Sequence, residues 1–88
     1  RTLLNLAYVQ MDLGKNDEAI TTFKKLLLLQ PVQPIVFYEL AWAYYNMGQY
    51  QNALDTFIEF QRTPEGKNNA EVAQDIDKLK SILGPKAP

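Results

Sequence analysis

Ten carboxylates, nine lysines and arginines and a single serine, Ser81, are the groups in these 88 residues that would enter a reaction; there is no histidine and no cysteine. Paired-acid chemistry needs two carboxyl groups facing each other across a pocket. Asp75 and Asp77 are two apart on a helical stretch, so they point to different sides. Asp17 and Glu18 fall in the first turn of a helix, where negative charge offsets the dipole. Lack of histidine removes the usual general base and the commonest metal ligand. Lack of cysteine removes disulfides and thiolate metal sites. The charges read as a solvated face, and the sequence predicts no catalytic residue, no metal site, no cofactor and no enzyme.

Rings supply the other chemistry. Tyr38, Trp42 and Tyr45 follow one another at spacings of four and three, so they stack on one face of a helix. From Ile35 to Met47 only Glu39 and Asn46 are plainly polar. A helix apolar nearly all round is normally covered on every side. Left open, such a strip marks a contact site, and Tyr and Trp are over-represented among the residues that dominate binding energy.

The elements that position these residues follow from apolar spacing near 3.6. Thr2 to Leu13 reads as a helix with Leu3, Leu6, Ala7 and Val9 apolar and Leu4, Tyr8 and Met11 on an adjacent stripe. Gly14 stops it, and Asn16 is the expected cap of a second helix running to about Gln30 and ended by Pro31. The second helix buries Ala19, Ile20, Phe23, Leu26 and Leu27, with Thr21, Thr22, Lys24 and Lys25 facing water. A third opens at Pro34 and ends at Gly48, with Phe37, Leu40, Ala41 and Tyr44 as its core stripe. Tyr50 to Arg62 is the fourth, with Ala53, Leu54, Phe57 and Phe60 inward. Thr63 to Lys67 reads as a loop. Asn68 followed by Glu71 starts a fifth helix, with Val72, Ile76, Leu79 and Leu83 at helical spacing. Asp75, Asp77, Lys78 and Lys80 form its solvated side, and Gly84 and Pro85 end it.

Composition narrows the partners. The net charge is −1, and no basic stripe exists to neutralise phosphates, so nucleic acid is not expected. No apolar run approaches the roughly 20 residues that cross a bilayer, so membrane insertion is not expected. The first residues do not form a signal peptide. The expectation is a soluble chain whose compartment, cytoplasm or periplasm, stays open.

The chain also repeats itself. Gly14 recurs as Gly48, Ala19 as Ala53 and Phe23 as Phe57, each 34 residues on. A fixed period in this range marks stacked supersecondary units. In the second unit Phe37, Leu40, Ala41, Tyr44, Gly48, Tyr50, Ala53 and Phe57, and in the first Leu3, Leu6, Ala7, Gly14, Ala19, Phe23 and Pro31, carry the spacing. On these residues the chain resembles the tetratricopeptide repeats over about Thr2 to Arg62. Gln10 departs from the pattern where an aromatic is usual, as does Asn16 where the second unit has Tyr50, so the first unit is expected to be less tightly locked. Phe60 stands where a small residue is usual, and something must accommodate its ring. The fifth helix does not match the pattern.

That resemblance implies an all-α, right-handed superhelix of five helices in one domain over residues 1–83. Repeat one spans about 1–33, repeat two about 34–67, a capping helix about 68–83, and 84–88 form a tail. It also implies a concave groove lined by the first helix of each unit. There the mapped residues are Leu4, Tyr8 and Met11 from one unit and Ile35, Tyr38, Trp42 and Tyr45 from the other. Arg1 lies at one end and Asp12 and Asn46 at the other. With Arg1 the one cation in that set, a clamp for C-terminal carboxylates is not expected. A hydrophobic or amphipathic segment of a protein partner is the expected ligand, in an adaptor or scaffold role. The alternatives are self-association, a place in a longer array (stable arrays need about three units), or burial of the strip by the fifth helix folding back. RNA reading by a pentatricopeptide-like array is disfavoured by the near-neutral charge and the small-residue pattern.

Overall fold

Gly14 and Gly48 turn the chain in the same way. Their φ angles are 78° and 76°, the left-handed region that glycine enters without a Cβ penalty. Gly14 N–H donates to the Met11 carbonyl at 3.0 Å and Lys15 N–H to that of Gln10 at 2.8 Å; Gly48 N–H donates to Tyr45 at 3.0 Å and Gln49 N–H to Tyr44 at 2.9 Å. Each pair of bonds closes the last turn of one helix and reverses the chain into the next.

The computed structural model describes residues 3–29 and 33–84. Arg1, Thr2, Gln30 and the expected terminators Pro31 and Pro85, with the rest of the 85–88 tail, lie outside them. The described residues form α1 (Leu3–Asp12), α2 (Asn16–Leu29), α3 (Pro34–Asn46), α4 (Tyr50–Gln61), α5 (Pro64–Lys67) and α6 (Ala70–Leu83). Among them there is no strand. Each long helix packs on the one before it, α1 with α2, α2 with α3, α3 with α4 and α4 with α6. The result is a stack measuring 45 × 28 × 21 Å. Ala7, Ala19, Ala41 and Ala53 are fully buried, because a methyl group lets neighbouring helices approach closely. Phe23 and Phe57, also fully buried, fill the space between them.

Several expectations are corrected. The helix count is six rather than five, because Pro64–Lys67 is a short helix and not a loop. Thr63 caps it, its hydroxyl accepting from Gly66 N–H at 3.0 Å and donating to the Phe60 carbonyl at 2.6 Å. That turn also answers what accommodates Phe60, which is buried. Gly66 lies so close that a Cβ there would run into the Phe60 carbonyl and stand 2.9 Å from its ring. Asn69, not Asn68, caps α6, accepting from Val72 N–H at 3.0 Å. Asn16 is the first residue of α2 rather than its cap, and its Oδ1 accepts from Asn46 Nδ2 at 3.3 Å.

Burial differs at further positions: Leu27 and Phe37, expected in the core, are half-buried and pack against it. Thr22 is buried, not facing water; its hydroxyl donates to Gln10 Oε1 at 2.7 Å. Asp75 is half-buried rather than solvated. Leu83 at the end of α6 is 39% exposed, because no later helix among the described residues covers it. Leu6 and Val9 are 47% and 52% exposed instead of packed. One period later the same face of α3 carries Leu40 and Ala43, both buried where α3 meets α2. No described residue precedes α1 to do the same.

The last helix repeats the buried positions of α3 at a shifted register. Val36, Leu40 and Ala43 of α3 correspond to Val72, Ile76 and Leu79 of α6, 36 residues on, and all six are buried. Gly84 then takes the place of Gly48, with φ 79°. The two additional residues are absorbed in the segment that forms α5. α6 therefore sits on α4 as α3 sits on α2.

Candidate partner-binding surface

Three of the seven residues mapped to the groove form one continuous ring assembly. The Tyr38 and Trp42 centroids are 6.3 Å apart and those of Trp42 and Tyr45 5.2 Å, both edge-on. Tyr45 continues edge-on to Tyr50 of α4 at 5.3 Å. Beneath, Phe57 meets Trp42 at 5.3 Å and Tyr38 at 6.2 Å, while Phe60 meets Tyr38 at 5.4 Å. Edge-on pairs at these separations each add about 0.5–1.5 kcal/mol beyond area burial. The rings on α3 are thus held from below by α4 and are half-buried rather than free.

Trp42 and Tyr45 also form one wall of a cleft of about 300 Å³, with Phe57 at its base and Asp75, Lys78 and Ile82 of α6 opposite. The fifth long helix therefore lies beside the indole and does not seal it off. Ile35, 42% exposed, is at the far end of α3, where it lines a separate cleft with Pro34, Phe60 and Glu65.

The α1 residues take a different position. Leu4 and Met11 are half-buried and pack against the core, and Tyr8 is half-buried. The Tyr8 hydroxyl is pushed above its ordinary pKa, first by burial and then by the negative charge of Glu39 on α3. Glu39 is itself raised by burial. Asp75 is raised by burial as well, with Lys78 lowering it and Glu71 raising it. A partly desolvated carboxylate thus stands near the line of rings on each of α3 and α6. Asp12 and Asn46, at the end of the face, are exposed. Arg1 lies outside the described residues.

Tyr50, Asp75, Lys78 and Ile82 were missed as neighbours of this surface. The signal was Gly84, which places α6 in the register of α3 at 36 residues rather than 34. Among the described residues no three metal-ligating side chains come together, and no helix is long and apolar enough to cross a membrane.

Comparison with known families gives two matches, a TPR repeat over residues 7–48 and a tetratricopeptide repeat over residues 36–63. Comparison with curated proteins gives no match. Tetratricopeptide repeats generally mediate protein–protein interaction and scaffolding, and they are typically not catalytic. With helices turned at Gly14 and Gly48, small residues where they touch and family matches that together span 7–63, the chain belongs to the tetratricopeptide repeat family.

Proposed function

We propose that Tyr38, Trp42 and Tyr45 of α3, together with Tyr8 and Met11 of α1 and with Leu4 and Ile35 as margins, bind a hydrophobic or amphipathic segment of a protein partner. The observation that carries this is Trp42, half-buried in the wall of a cleft and held by rings on three sides. A ring fixed before binding loses little conformational freedom when a partner covers it. The role is that of an adaptor or scaffold. Trp42 is the only tryptophan, so its emission reports occupancy directly. Amphipathic peptides titrated into the protein are expected to shift that emission, and Tyr45→Ala is expected to remain helical while losing capture. Binding without any change at Trp42 would move the contact elsewhere.

A second reading is self-association, and a specific observation favours it. Leu6, Val9 and Leu13 are 47%, 52% and 66% exposed on one side of α1 and its end. The equivalent side of α3 is covered by α2 and that of α6 by α4. A helix from a second copy, or from a further repeat in a longer array, fits the same face. Light scattering over a concentration series tests the first form: a mass rising with concentration and restored to monomer by Val9→Glu supports it. A constant monomeric mass rejects it.

A further inference from the structure

α6 rests on α4 with a cleft on each flank. One is the cleft beside Trp42. The other, of about 390 Å³, has Leu54, Ile58 and Leu83 as its apolar lining and Asp55 and Lys80 among its polar neighbours, and it ends at Gly84. Its volume falls within the roughly 300–1,000 Å³ of ligand pockets.

The internal repeat says what shape is missing there. Shifting α4 back by 34 residues and α6 back by 36 turns Leu54, Asp55 and Ile58 into Ile20, Thr21 and Lys24, and Lys80, Leu83 and Gly84 into Tyr44, Met47 and Gly48. In that earlier junction Tyr44 is buried, and Lys24 Nζ stands 5.8 Å from the centre of its ring. An aromatic ring under a lysine therefore occupies the α2–α3 junction. At the α4–α6 junction the ring position is held by Lys80, which is exposed, and the space is open.

We propose that the cleft between α4 and the end of α6 takes a tyrosine or phenylalanine side chain presented by a partner polypeptide. The ring packs on Leu54, Ile58 and Leu83, whose counterparts one junction earlier are Ile20, Lys24 and Met47. Lys80 supplies the cation, which at the earlier junction comes from Lys24, at the position that Ile58 holds here. Asp55 and Gln51, hydrogen-bonded to each other at 3.0 Å, offer polar groups to the backbone that carries the ring. This site is on the other flank of α6 from Trp42, so it stands or falls independently of the groove.

N-acetyltyrosinamide is the probe, with N-acetylleucinamide as control, read by methyl chemical shifts. The expected result is a saturable shift at Leu54, Ile58 and Leu83 with the aromatic amide only. Lys80→Tyr should fill the cleft from within, raising Tm by several degrees and abolishing the probe shift. Lys80 is exposed, so Lys80→Ala is expected to stay folded and still bind the probe, more weakly. Shifts confined to the Trp42 flank overturn the proposal, as does a flat titration together with an unchanged Tm for Lys80→Tyr. If the probe binds only after residues 85–88 are deleted, the chain fills its own cleft and the partner is excluded.

Discussion

The two hairpins share a turn and differ in what fills them. In the first, Gln10 and Thr22 meet through a side-chain hydrogen bond at 2.7 Å. In the second, the positions 34 residues later are Tyr44 and Thr56: Tyr44 is a buried ring, and the Thr56 hydroxyl donates back to the Asn52 carbonyl at 2.7 Å, as Thr22 does to Glu18 at 3.1 Å in addition to its bond to Gln10. Among the described residues, every stacked ring pair lies within residues 38–60. The second hairpin is thus an aromatic block with α5 and α6 folded against it, and the first is an aliphatic unit with one side of α1 open. Equal backbones do not give equal surfaces. The aromatic block carries rings rigid enough to receive a partner, and the aliphatic unit carries the face that asks for another helix.

The largest effect that tests this contrast is a core truncation in each hairpin. Phe23 and Phe57 are both fully buried, and Phe→Ala at such sites costs about 3–5 kcal/mol. Phe57 also loses ring contacts with Tyr38 and Trp42, worth about 0.5–1.5 kcal/mol each. Phe57→Ala is therefore expected to be the more destabilising in urea denaturation, and against a total of about 5–15 kcal/mol it will bring the chain close to unfolding. Equal losses would mean that the rings add nothing beyond buried area.

The glycines come next. Gly66→Ala places a methyl group against the Phe60 backbone, which cannot rotate away, so a loss at the upper end of about 1–3 kcal/mol is expected. Gly14→Ala and Gly48→Ala meet nothing within 4 Å and suffer only from positive φ, at about 1–2 kcal/mol. Thermal melts of the three variants should rank Gly66→Ala lowest. If Gly14→Ala melts below it, the first hairpin depends on its turn more than the second depends on the Phe60 contact.

A third experiment asks how much the first hairpin owes to its polar substitute. Thr22→Val keeps the shape and leaves Gln10 Oε1 without its hydroxyl donor, at a cost of about 1–3 kcal/mol. Adding Gln10→Leu removes the stranded amide and should recover part of that loss. Full additivity of the two changes would show that the hydrogen bond couples nothing.

These contrasts also explain what the sequence disclosed. Gly14, Gly48 and the four helix-contact alanines were legible because a left-handed turn and a close helix approach each admit few residue types. The ring line of Tyr38, Trp42 and Tyr45 was legible because helical spacing alone puts them together. The support beneath them was not, since Phe60 reaches Tyr38 only through tertiary packing. Thr22 was misplaced because a threonine on a helix looks the same whether water or Gln10 takes its hydroxyl. Leu6 and Val9 were misplaced for a related reason: an apolar stripe states that a helix wants covering, not that something covers it. The register of α6 was hidden by two residues in α5, which broke the period while leaving the packing intact.

The smallest predicted effect concerns Glu39, which stands between the two hairpins. Burial raises its folded-state pKa above the ordinary value of about 4.3. Between those two values the folded protein holds more protons than the unfolded chain, so stability falls as pH rises through that window and is greatest below it. Glu39→Gln removes the desolvated charge. It is expected to raise Tm modestly at pH 7, to leave Tm at pH 3 unchanged, and to flatten the profile between them. Because the same charge raises the Tyr8 hydroxyl, second to burial, the variant should also lower the Tyr8 titration midpoint without removing the part of the shift that burial causes. A Tyr8 midpoint unaltered by the substitution would separate α1 from α3 electrostatically and leave the second hairpin as the only part of the surface that Glu39 influences.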